Sequence, residues 1–246
     1  MDCGLSMTRP RGGQAAAKKA DYYLSDRKNP DTIADLESYY TTGEELANSL
    51  THGAGVFLSM AGAAILVVFA ALYGTAWHIV SFSIFGASLL LLYTISALYH
   101  SARRPAVKKI LQCLDHSAIF LLIAGTYTPF VLVSLRDGWG WSIFGIIWAC
   151  AAVGVGLKSV LTGRFENLST AVYIIMGWLC LVALREIVIH VPPFSIALLL
   201  AGGLFYTFGV IFYMWRKLPY HHAVWHLFVI AGSLFHYFAV LRLVAA

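Results

Sequence analysis

Long apolar stretches separated by short polar segments dominate the chain from about residue 50 onward. Each stretch has roughly the 20 residues that an α-helix needs to cross the hydrocarbon core of a bilayer. The predicted spans are 51–73, 78–100, 112–134, 139–158, 169–189, 194–215 and 223–244. Because the connections between them are short, neighbouring helices are expected to pack antiparallel in one bundle. The pattern predicts an all-α, seven-helix transmembrane domain over residues 44–246.

Residues 1–43 show a different pattern, with charges of both signs and no sustained apolar period. No apolar segment follows the early arginines, so we do not expect a cleaved secretory signal. We interpret this stretch as a polar cytoplasmic leader, disordered or weakly helical. Thr41 and Thr42 each stand three residues before Glu44 and Glu45, respectively. This is the spacing of a capping box, and it predicts the start of a helix.

The composition agrees with a membrane protein, since 59% of the residues are hydrophobic and 12% are charged, against about 25% charged residues in soluble domains. The net charge of +5 does not indicate nucleic-acid binding, because the basic residues are scattered among loops. Fourteen of the seventeen Lys and Arg residues fall in the leader and in the loops after spans two, four and six. The positive-inside rule then places the amino terminus in the cytoplasm and the carboxyl terminus outside the cell membrane.

Several polar residues inside the spans gather near the predicted cytoplasmic face. His100 ends the second span, Asp115 lies a turn into the third, and His222 and His226 occupy the first turns of the seventh. At about 1.5 Å per residue, all four lie within about two helical turns of one membrane face. His222 and His226 are four residues apart and share one face of their helix. The sequence therefore predicts three imidazoles and a carboxylate at one depth.

Three neutral imidazoles with an open fourth position suit a catalytic Zn²⁺ ion. Asp115 is the only acid well inside a predicted span, and a carboxylate in a membrane is costly enough to indicate a functional or paired role. Ser96 lies one turn deeper than His100 on the same helix face. We predict zinc ligands at His100, His222 and His226, with Asp115 and Ser96 as catalytic side chains. The alternative for any single histidine is a position at the lipid interface.

The remaining intramembrane signals carry weaker predictions. His52 and His221 are expected at the lipid interface, with a place beside the metal ligands as the alternative for His52. His116 is expected to face away from the site, because adjacent residues on a helix point in different directions. His236 lies too deep for the same ion and is expected to hydrogen-bond within the bundle or to line a cavity. Pro129 is predicted to kink the third span. The four cysteines form no CxxC pair and predict neither a disulfide framework nor a zinc knuckle.

Five ordered blocks of the sequence resemble a known family. The blocks are Glu44 to Gly53, Ser96 to His100, Leu114 to Ser117, Gly125 to Pro129 and His222 to His226. Over about residues 44–245, the sequence resembles the hemolysin III proteins. These proteins are the bacterial branch of the progestin and adiponectin receptor (PAQR) family. The resemblance implies a seven-helix fold with a cytoplasmic amino terminus and a zinc site near the cytoplasmic face.

The same resemblance implies roles for individual residues. The family's zinc ligands match His100, His222 and His226, its third-helix aspartate matches Asp115, and its second-helix serine matches Ser96. The wider superfamily includes alkaline ceramidases, which hydrolyse lipid amides with this set of residues. The resemblance therefore implies that the protein could be a lipid amide hydrolase. The residues alone do not decide between this and other functions.

Three functions are compatible with the sequence. The first is a zinc-dependent hydrolase of amide or ester bonds in membrane lipids, in which Asp115 acts as general base and Ser96 hydrogen-bonds the developing oxyanion. The second is a sensor or regulator of membrane lipids in which zinc is structural. The third is a pore-forming cytolysin, as the family name suggests, although the spans carry no run of charges that would line a pore. A membrane lipid and the bilayer are the expected partners, without nucleic acid.

Overall fold

The computed structural model describes residues 40–136, 138–161 and 165–244. Within these residues the chain is almost entirely helical and contains no β-strand. The helices are α1 (Thr42–Tyr73), α2 (Ala76–Ser101), α3 (Pro105–Pro129), α4 (Gly138–Leu161), α5 (Glu166–Gly177), α6 (Leu184–His190), α7 (Pro193–Met214) and α8 (His221–Leu241). A π-helical turn at Phe130–Ser134 continues α3, and 3₁₀ turns at Leu179–Ala183 and Arg242–Val244 follow α5 and α8.

In the described part of the chain, seven helical segments are long and apolar enough to cross a membrane. Their bounds are Thr42–Tyr73, Ala76–Ser101, Pro105–Ser134, Gly138–Val160, Glu166–His190, Pro193–Met214 and His221–Val244. The predicted seven-helix membrane fold is confirmed, and the protein is a multi-pass membrane protein. The direction of insertion and the boundary of the leader stay predictions, and residues 1–39 of that leader lie outside the described residues.

α1 begins with one of the two capping boxes that the sequence predicts. The Thr41 hydroxyl accepts a hydrogen bond from the Glu44 backbone N–H at 3.2 Å, and the Glu44 carboxylate accepts one from the Thr41 backbone N–H at 2.9 Å. This exchange satisfies two donors at the helix start. Glu45, the acid of the second predicted box, instead contacts side chains from α2 and α3.

The order of packing in the bundle brings the first and last helices together. α1 packs against α2 and also against α8, α3 lies between α2 and α4, and α7 packs along α8. The main apolar core includes Leu66, Phe82, Phe85 and Val240, all fully buried. A Cβ atom at Gly202 would overlap side-chain atoms of α8, so this glycine allows close contact between α7 and α8. The result is that the start of α8 lies against the start of α1.

The third span changes helix type at Pro129. The α-helix ends there, and the backbone continues as the π-helical turn. Proline has no backbone N–H to donate to the carbonyl four residues earlier. The hydroxyls of Thr126 and Thr128 donate to the carbonyls of Leu122 and Ala124, each at 2.8 Å, as buried hydroxyls in membrane helices do. The proline therefore marks a π-helical turn, a feature that commonly bends a helix.

Candidate metal centre

Three buried histidines meet where the end of α2 faces the start of α8. His100 lies in the last turn of α2, and His222 and His226 lie in the first two turns of α8. One ring nitrogen of each lies within 4.8 Å of the corresponding atoms of the other two. The ring centroids are 5.0 Å apart for His100 and His222, 5.2 Å for His100 and His226, and 4.6 Å for His222 and His226. The structure brings together the three residues that the sequence predicts as metal ligands.

The unpaired nitrogens of this group fit a metal ion. The Nε2 atoms of His100, His222 and His226 are buried and have no hydrogen-bond partner among the described residues. An unsatisfied buried polar atom costs on the order of 1–3 kcal/mol. A single metal ion would bind all three neutral imidazole nitrogens at once. These three histidines could therefore hold an ion.

The other ring nitrogen of His100 is held by a charged pair. His100 Nδ1 donates to Glu45 Oε2 at 2.7 Å, and Glu45 Oε1 accepts from Lys108 Nζ at 2.8 Å. A carboxylate on Nδ1 fixes the tautomer in which Nε2 keeps a lone pair for a metal. Glu45 and His100 are 55 positions apart in the chain, so no local spacing in the sequence indicates their contact.

The other ring nitrogens of the two α8 histidines contact Tyr40, which precedes α1, and residues in the first turns of α1. His222 Nδ1 lies 3.0 Å from the Tyr40 hydroxyl. His226 Nδ1 donates to the Asn48 carbonyl at 3.2 Å and lies 3.0 Å from the Thr51 hydroxyl oxygen. That hydroxyl donates to backbone carbonyls of its own helix, so its oxygen accepts from the ring. Tyr40 and Thr51 were not predicted, because their partners lie far away in sequence.

His52 lies inside the bundle beside the candidate metal centre. Its ring is 2% exposed and stacks on the His226 ring with centroids 3.4 Å apart. It also packs edge-on against Tyr93. The expected position at the lipid interface is wrong, because α8 covers the face of α1 that carries His52. His221 is buried too, and its Nδ1 lies 3.1 Å from the Phe212 carbonyl oxygen.

Asp115 and Ser96, the predicted catalytic side chains, lie in the same region of the bundle. Both are buried. Ser96 lies four residues before His100 in α2, and Asp115 lies in α3, which packs against α2. Their catalytic roles stay predictions.

A mainly apolar cavity of about 270 Å³ begins at this region. Asp115, His52 and His116 are among the residues that line it. Its apolar wall includes Leu122, Ile123, Phe130, Ile174, Leu199 and Val229. His236 lines the cavity as well, and its Nε2 lies 3.1 Å from the Leu199 carbonyl oxygen, which confirms both parts of its prediction.

A second charged group, formed by Lys158 and Glu166, lies near His116. Lys158 is 3% exposed, and its Nζ donates to both oxygens of Glu166 at 3.3 Å. His116 Nδ1 is 3.7 Å from Glu166 Oε1. His116 therefore turns toward Glu166, at the start of α5.

Seven membrane-spanning helices with a buried histidine group at one end define a class of multi-pass membrane protein with a candidate metal site. The profile of the family described as "Haemolysin-III related" matches residues 40–237. The chain belongs to this family, the bacterial branch of the PAQR family, and the predicted resemblance is confirmed. It is a protein of the cell membrane.

Individual relatives cover most of the chain. It is 48% identical over 202 residues to the Hemolysin-3 homolog of Bacillus subtilis (strain 168). The matched region covers 82% of this chain and 95% of that protein. It is also 48% identical over 198 residues to Hemolysin-3 of Bacillus cereus, and this match covers 80% of this chain and 90% of that protein. A more distant relative is the Monocyte to macrophage differentiation factor of Homo sapiens, 26% identical over 213 residues and covering 81% and 84%.

Proposed function

We propose that this protein is a zinc-dependent hydrolase that cleaves an amide or ester bond in a membrane lipid. The observation that carries the proposal is the set of three unpaired, buried Nε2 atoms beside an apolar cavity. His100, His222 and His226 would hold the ion, and zinc suits three neutral imidazoles. When bound, the ion would activate water and polarise the substrate carbonyl.

Asp115 would act as the general base. Asp115 lines the cavity, and its carboxylate would accept a proton from the attacking water. Ser96 is buried, four residues before His100 on α2, and would donate a hydrogen bond to the oxyanion that develops on the substrate carbonyl.

The cavity supports a lipid as the substrate. Its wall is mainly apolar, and it includes Asp115 and also His52, whose ring stacks on His226. A cavity of this kind fits a molecule with a long alkyl chain and one polar group. The alkyl chain would lie against the apolar wall. The bond to be cleaved would then lie near Asp115, with His52 contacting the polar group.

A lipid sensor with a structural ion is the second candidate. The observation that favours it is that each ligand histidine is also held through Nδ1, as in a rigid structural site. Such a protein would bind the lipid without cleaving it. Membrane lysis, the candidate that the names of the bacillary relatives suggest, would instead make vesicles leak.

One reconstitution experiment separates these functions. The purified protein is placed in vesicles that contain long-chain amide and ester lipids and a trapped dye, with zinc or with a chelator. Hydrolysis predicts fatty-acid release, measured by mass spectrometry, that stops with the chelator. Lipid binding without fatty-acid release would contradict the hydrolase and support the sensor. Dye release without lipid cleavage would support lysis.

A further inference from the structure

The start of α1 contacts two of the three candidate metal ligands, His100 and His226, although it supplies no ligand itself. We propose that Glu45 and Lys108 are positioning residues that set the affinity of the metal site by holding His100. The proposal rests on the proposed metal site. It adds that the affinity depends on a charged pair between α1 and α3, outside the group of ligands.

The inward face of α1 explains how one helix contacts two of the three histidines. Glu45, Asn48 and His52 follow one another at intervals of three and four residues, so they share one side of the helix. Their side chains or carbonyls contact His100 and His226. The first turns of α1 are therefore polar on the side that faces the protein.

The two oxygens of Glu45 bind two different partners. Its side chain is 13% exposed, so the carboxylate is largely removed from water, and such a group is stable only when it is paired. One oxygen accepts from His100 and the other from Lys108. Each partner therefore restricts the position that Glu45 can take toward the other.

Lys108 is itself fixed against the end of α2. Its Nζ donates to the carbonyls of Tyr99 and Ala102 at 3.3 and 3.4 Å. A cation is favourable at the carboxyl end of a helix, where the last carbonyls lack partners. Lys108 thus connects the end of the helix that carries His100 to the carboxylate that orients the His100 ring.

The test measures zinc affinity with the metal alone, using full-length protein in detergent and a competing chromogenic chelator. Glu45→Gln keeps the size of the side chain but leaves only one acceptor oxygen for two donors. Loss of such a supporting contact typically costs about 10–100-fold in metal affinity. We expect that loss for Glu45→Gln, and a loss of about 3–10-fold for Lys108→Met, whose effect is indirect. Lys108→Arg keeps the cation and should recover part of the loss.

Lys109→Met is the matched control, because it removes the same charge from the neighbouring, exposed position. It should bind zinc as the parent does. If Lys108 acts through Glu45, the Glu45→Gln/Lys108→Met double variant should bind zinc no more weakly than Glu45→Gln. A merely structural role would instead lower the melting temperature of the zinc-free protein and leave zinc affinity unchanged.

Two outcomes overturn the proposal, and they are distinguishable. Parent-like zinc affinity in both Glu45→Gln and Lys108→Met, with affinity lost in His226→Ala, would contradict the positioning role and leave the metal site intact. No zinc binding by the parent protein would contradict the metal site and the positioning role together.

Discussion

The three histidines of the candidate metal centre differ in the contacts of their two ring nitrogens. Each Nε2 is unpaired, and each Nδ1 contacts Tyr40 or a residue in the first turns of α1. This division keeps a lone pair available on each Nε2 and fixes the ring that carries it. The chemistry proposed for the site can therefore be tested one side chain at a time.

Asp115→Asn tests the general base. The substitution keeps the size of the side chain and touches none of the three ligands, so zinc content should match that of the parent. Removing a general base typically lowers the rate by about 10²–10⁴-fold. We expect a loss of that size in fatty-acid release, measured in the reconstituted vesicles. Parent-like release by a zinc-loaded Asp115→Asn protein would exclude Asp115 as the base.

His52→Phe tests the contact between the protein and the polar group of the lipid. Phenylalanine keeps an aromatic ring stacked on His226 and removes both ring nitrogens. Zinc content should be unchanged, while fatty-acid release should fall at least about 10-fold, as expected for the loss of a hydrogen bond of about 1.4 kcal/mol or more. An unchanged rate would show that His52 serves packing alone.

At the scale of elements, α1 shows that a run of apolar residues does not by itself predict where a membrane helix begins. The first apolar run begins at residue 51, but the helix begins at Thr42. Its first turns bury Glu44, Asn48 and His52, and in the sequence such residues look like the polar end of a span. Only the position of α8 against α1 makes this face an interior one. The capping box at Thr41 is a local signal, and it was predicted correctly.

Thr41→Ala tests the importance of that helix start. Loss of an N-cap side chain typically costs about 1 kcal/mol of stability, and here it would also release Glu44. We expect unfolding in detergent at correspondingly lower denaturant concentration. Thr42→Ala is the matched control, because the structure uses only the box at Thr41. Equal effects of the two substitutions would contradict this assignment.

At the scale of the whole molecule, the site forms because the bundle places the first and last helices side by side. The sequence predicted His100, His222 and His226 correctly as neighbours, because the order of the spans places them at one depth and a four-residue spacing places two of them on one face. It did not predict Tyr40, Glu45 or Thr51 as their partners. Those contacts join residues 55 to 182 positions apart, and neither depth nor spacing along one helix specifies which helices touch.

The same limit explains the error at His52. A histidine at the polar end of a span fits the lipid interface equally well when the neighbouring helix is unknown. The contact between α1 and α8 decides the matter, and it belongs to the arrangement of the bundle as a whole. Local patterns therefore predicted the helices and the ligand group, while the surroundings of that group required the structure.

The central claim is that His100, His222 and His226 bind zinc, and the most direct test is the metal content of the protein. The parent and a His222→Ala/His226→Ala double variant are purified in detergent without chelators, with helical content and size checked for both. The account predicts about one zinc ion per chain in the parent and none in the variant. A parent protein without zinc, or a variant that retains it, would contradict the account.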